Sequence, residues 1–103
     1  MPDMIIITVK EFEDFYDFLL NNRASDHVFY EIRQDKHDMI VDKLVYFTFL
    51  GSHGNFSVLY QYSIEIPQKI DYKDFINEIK EKLNIIEIKF IEGTIRELYL
   101  SLS

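Results

Sequence analysis

From Leu44 to Ile66 two β-rich runs flank GSHGN, and the second of them alternates its side chains on a two-residue period. Phe56, Val58, Tyr60, Tyr62, Ile64 and Ile66 fall on one side; Ser57, Leu59, Gln61, Ser63 and Glu65 fall on the other. That pattern predicts a strand with one buried and one wetter face. Before GSHGN, Val45, Phe47 and Phe49 face one way, but Leu44, Tyr46 and Leu50 on the opposite side are apolar too, relieved only by Thr48. A strand apolar on both sides needs cover on both. Together the halves read as an antiparallel hairpin, with Gly51 and Gly54 supplying the positive φ angles of the reversal.

Two stretches carry the longer helical period instead. Phe12, Phe15, Tyr16, Leu19 and Leu20 share one helix face. Thr8 to Glu11 ahead of them has the form of a capping box, and Asn21-Asn22 can end the helix in the left-handed conformation. Tyr72, Phe75, Ile76, Ile79 and Leu83 make a second apolar face, capped by Asp71 and stopped by Asn84. Short β-rich runs surround them: 4–7, then Val28 to Arg33, and Ile86 to Phe90. QDKHD at 34–38 reads as a charged turn and Glu92-Gly93 as a tight one. Leu98, Leu100 and Leu102 alternate as a last strand.

The predicted architecture is one α+β domain over 1–103: a largely antiparallel sheet of five or six strands with two helices on one face. Units 4–33 and 56–91 repeat a β-α-β pattern, which suggests a ferredoxin-like variant with one strand too many.

Composition narrows the function more than the motifs do. The 103 residues hold no cysteine, so neither a disulfide framework nor a thiolate metal site is available. The apolar run near Met1 is too short for a signal peptide, and no stretch reaches the roughly 18 apolar residues of a membrane span. A soluble, cytoplasmic chain is expected, in the host cytoplasm for a viral protein. Fifteen Ile and eight Lys against one Ala and three Arg follow AT-rich codons, as in many viruses, mobile elements and bacteria. Eleven basic residues among eighteen acids give a net charge of −7. Direct nucleic-acid binding, which rests on cations neutralising phosphates, is therefore not expected.

Candidate chemistry is sparse. His37, between Asp35, Lys36 and Asp38, could join a carboxylate–imidazole metal cluster, but no second His lies at ligand spacing. His53 in GSHGN could act as a base beside Ser52, with nothing in the sequence to orient it. His27 follows a loop acid and reads as structural. Phosphate-loop patterns are missing from the three glycines, so no cofactor is expected. One charge feature has a shape: Glu11, Glu13, Asp14 and Asp17 lie within seven residues on the polar side of the first helix. Its plain explanation is a solvated helix face. The sharper one is a negative surface that meets a basic groove and competes with nucleic acid for it.

In size and charge the chain resembles small acidic α+β proteins of viruses, some anti-CRISPR proteins among them. No motif carries that resemblance, and no residue role is transferred. Three readings follow: a protein-binding inhibitor of a host nucleic-acid-binding complex, a small hydrolase or nuclease using His37 or His53, and an assembly subunit. The apolar sheet side carrying Leu44, Tyr46, Leu50 and Leu59 is expected to form a homodimer interface, unless the C-terminal segment covers it.

Overall fold

A computed structural model of the chain describes residues 4–34, 43–67, 69–83, 87–91 and 93–102. In chain order the elements are β1 (Ile6–Val9), α1 (Phe12–Asn22), β2 (His27–Gln34), β3 (Lys43–His53), β4 (Phe56–Ile66), α2 (Tyr72–Lys82), β5 (Glu87–Phe90) and α3 (Ile95–Leu102). The chain is α+β as expected, with a five-stranded sheet in the order β1-β4-β3-β2-β5.

The sheet is mixed rather than largely antiparallel. β1 runs parallel to β4 and β5 parallel to β2, while β3 is antiparallel to both its neighbours. Four strands therefore share one direction, and β3 alone is reversed. Both β-α-β units are present, as β1-α1-β2 and β4-α2-β5. Each crossover passes over two intervening strands, and both step the same way along the sheet. Crossovers of the usual right-handed kind then place both helices on one face. The ferredoxin-like expectation is met only in part, because β3 turns the chain once more and sends the second unit the same way as the first.

Within the hairpin, β3 continues through Gly51 to His53, and the reversal shrinks to Gly54-Asn55. Only Gly54 has the positive φ expected there, at +62°. Glycine first in a two-residue loop suits the right-handed strand twist. Gly51 serves a different need: it lets the end of α1 come close. The Arg23 backbone bridges to Gly51, the Ala24 amide donates to the Leu50 carbonyl, and the Asn22 side chain donates to the Ser52 carbonyl.

The core under α1 and α2 is built from the predicted faces. Phe15 and Leu19 from α1, and Ile76 and Ile79 from α2, pack on Val45, Phe47, Phe49, Val58 and Tyr60. Three expectations at α1 fail. Thr8 lies in β1, where Val9 is buried beside Tyr62, so the chain stays extended and no capping box forms on Thr8 and Glu11. Asn21 and Asn22 have no positive φ; the helix ends into an extended Arg23. Leu20 is exposed, and Phe18 packs instead, stacked on Tyr60 at 4.9 Å between centroids. At α2, by contrast, the Asp71 carboxylate accepts from the Lys73 amide at 3.0 Å, as a cap should.

The C-terminal segment is a helix, not a strand. Ile95, Leu98 and Tyr99 are buried and follow helical spacing, whereas Leu100 is exposed. Thr94 and Glu97 form the capping box: the Glu97 amide donates to Thr94 Oγ1 (3.1 Å) and the Thr94 amide to Glu97 Oε2 (3.4 Å). α3 lies on the face opposite α1 and α2, where it packs on Leu50, Leu59 and Ile91 with Met4 and Phe29 alongside. Leu50 and Leu59, expected at a dimer interface, are thus buried inside the chain. Thr94→Ala should cost about 0.5–2 kcal/mol of stability by urea denaturation, the usual worth of such a cap. An unchanged midpoint would mean that α3 does not depend on this box.

Candidate functional site

Of the two histidines among the described residues, the one read as structural is the one with side-chain partners. His27 opens β2 next to Glu87 of β5, and its Nε2 lies 3.2 Å from Glu87 Oε2. Ser25 Oγ sits 3.4 Å from Nδ1 and also accepts the His27 amide at 3.3 Å. With the proton on Nε2, the ring donates to the carboxylate and accepts from the serine hydroxyl. That is the sense of a serine–histidine–acid chain. Glu87 also meets Lys89 at 3.7 Å. The Glu87 side chain is 63% exposed, so water screens the pair. Sequence spacing could not join residues from two strands so far apart in the chain.

His53 is exposed at the end of β3, and His37 lies outside the described residues. Among the described residues, no three His, Asp or Glu side chains gather closely enough to hold a metal ion, and no helix is long and apolar enough to cross a membrane.

Glu11, at the N-cap of α1, and Glu13, Asp14 and Asp17 on the helix are all exposed. Among the described residues, none of the four carboxylates has an ion-pair partner. Several acids elsewhere are engaged: Asp26 with Arg23, Glu31 with Arg33, Glu78 with Lys82, and Asp71 and Glu97 as caps. Glu13 and Asp14 lie in the first turn, where the helix dipole favours them, but Asp17 is a turn further on. Glu11 acts on its surroundings at least once. The Tyr62 phenol is pushed above its ordinary value, first by burial and then by the Glu11 carboxylate.

On the α3 side, Leu44 and Tyr46 are half-buried, with the Arg33 guanidinium 4.2 Å above the Tyr46 ring. A cleft of about 470 Å³ beside α3 is lined by Phe29, Lys89, Ile91, Glu97, Leu98 and Ser101, among others. Its two charged groups are already engaged, Lys89 with Glu87 and Glu97 with its own cap.

A second groove, of about 270 Å³, runs between α2 and β2. Lys73, Ile76, Asn77 and Lys80 form one stripe of α2 facing it, and Tyr30 and Tyr72 complete the lining. The spacing i, i+3, i+4, i+7 was visible in the sequence, as an edge of the apolar face. What was not visible is that Tyr30 of β2 lies across from it.

Comparisons with protein-family models, with curated proteins and with solved structures find no match to this chain.

Proposed function

We propose that the chain is a protein-binding module that presents the acidic face of α1 to a basic partner surface. A groove that otherwise holds nucleic acid is the fitting target, which would make the chain an inhibitor of the kind a virus or mobile element encodes. One observation carries this: Glu11, Glu13, Asp14 and Asp17 are exposed together without an ion-pair partner among the described residues, on a chain of net charge −7. Such a surface attracts and orients a positively charged partner, and does so less as salt rises. Self-association through the sheet would rest on Leu44 and Tyr46, since α3 occupies Leu50 and Leu59.

The test is capture from cells at physiological salt with the intact chain and a Glu13→Gln, Asp14→Asn, Asp17→Asn variant. All three sites face water, so the variant should fold normally by circular dichroism. A basic, nucleic-acid-binding protein should be retained by the intact chain and lost by the variant. Equal capture by both would remove the α1 face from the account.

The Ser25–His27–Glu87 chain supports a second reading, a small hydrolase. Under it, a fluorophosphonate reagent should label Ser25, and His27→Ala should abolish the labelling. The amide that Ser25 already accepts is the pattern of an ordinary serine turn, which accounts for the contact without catalysis. No label on Ser25 would leave that turn as the full explanation.

A further inference from the structure

We infer that the groove between α2 and β2 is a binding site for a small organic phosphate, an activity separate from the acidic face of α1. Its polar lining consists of two ammonium groups, Lys73 and Lys80, two phenols, Tyr30 and Tyr72, and the Asn77 amide. Among the described residues, no carboxylate lines it. On a chain with eighteen acids that is an unusual concentration of donors. Among the described residues, neither Lys73 nor Lys80 has an ion-pair partner, although Lys82 on the same helix pairs with Glu78 at 3.6 Å. The ammonium of Lys43, 5.4 Å from the centre of the Tyr72 ring, adds a third positive charge at the rim.

The ligand class follows from charge, shape and size. Two free ammonium groups match a dianion, and a phosphate monoester is close to one at neutral pH. Its three terminal oxygens can take up several of these donors at once, whereas a carboxylate offers two. Ile76 and the two tyrosine rings give the groove an apolar wall, which a bare ion would leave unused. At about 270 Å³ the groove falls just below the roughly 300–1,000 Å³ of drug-sized sites, so the organic part is a single small ring.

The inference is tested by titrating the intact chain with phenyl phosphate and following backbone amide shifts by NMR. Saturable shifts should centre on Tyr30, Tyr72, Lys73, Asn77 and Lys80. Inorganic phosphate and benzoate should each bind more weakly, and phenol should leave the spectrum unchanged. Lys73→Gln with Lys80→Gln should weaken phenyl phosphate at least about tenfold, the scale of one lost charge-assisted hydrogen bond. Both lysines are exposed, so the double variant should melt like the parent. Shifts scattered over the other lysines, or an affinity unchanged in the double variant, would overturn the assignment. So would benzoate binding as tightly as phenyl phosphate. A smaller molecular mass for the double variant, with no phenyl phosphate binding by the parent, would also overturn it, by giving the lysines to self-association.

Discussion

Phe15→Ala should cost about 3–5 kcal/mol of folding stability, the usual loss for a buried aromatic truncated to a methyl group. Phe15 is fully buried and stands where α1 meets the sheet. Its ring lies edge-on to Phe49 at 5.1 Å and close to Tyr62 at 5.7 Å, with Phe12 beside it. Small domains have only about 5–15 kcal/mol in total, so the variant should be partly unfolded at body temperature. Urea denaturation measures the loss directly. Phe56→Ala is the control, because Phe56 at the hairpin end is 64% exposed and should change little. A loss below about 1 kcal/mol at Phe15, outside the range for such truncations, would mean that α1 is not seated as described.

Gly51→Ala should be nearly as harmful, although it adds only one carbon. A Cβ built there would sit 2.7 Å from the Tyr60 ring and 2.9 Å from the Asn22 carbonyl oxygen. The ring is fully buried, and the carbonyl belongs to the last turn of α1, so neither can move aside freely. Overpacking of this kind costs about 1–3 kcal/mol. In a chain of this size the melting temperature should fall by roughly 4–8 °C for each kcal/mol. Gly54→Ala tests a different cause, since nothing stands near its Cβ and only the φ of +62° opposes a side chain. If Gly51→Ala melts with the parent, the close approach of α1 to β3 is wrong.

How much of this was legible in the sequence depends on how local each feature is. Helices α1 and α2 and the β3–β4 hairpin are set by side-chain periods inside single segments, and they formed where the periods lay. The direction of β1 and β5 is set by the path of the crossovers, which no local pattern encodes. α3 failed for another reason. Leu98, Leu100 and Leu102 satisfy a period of two, while Ile95, Leu98 and Tyr99 satisfy the helical one. Thr94 and Glu97 break the tie toward helix, but the same box was read at Thr8 and Glu11, where pairing with β4 overrides it. Gly51 reads as a turn residue until the helix end it accommodates is known. The candidate sites were less legible still. The acidic face of α1 belongs to one helix and could be read directly. Ser25–His27–Glu87 and the Tyr30–α2 groove each join segments that only the sheet brings together.

The pairing of β1 with β4 also sets an order of events as the chain is made. Ile6 has no partner until Leu59 has been synthesised, and His27 must wait for Glu87. Pairings this distant must close large loops before any contact rewards them, which slows folding. The β3–β4 hairpin, by contrast, can close on itself as soon as its turn emerges. The greasy side of α1 is therefore complete long before the strands that will cover it. In that interval it is the segment most exposed to chaperones and to other nascent chains. A half-length chain ending before β4 should aggregate or stay bound to a chaperone, while one carried past Ile66 should begin to protect α1 from proteolysis.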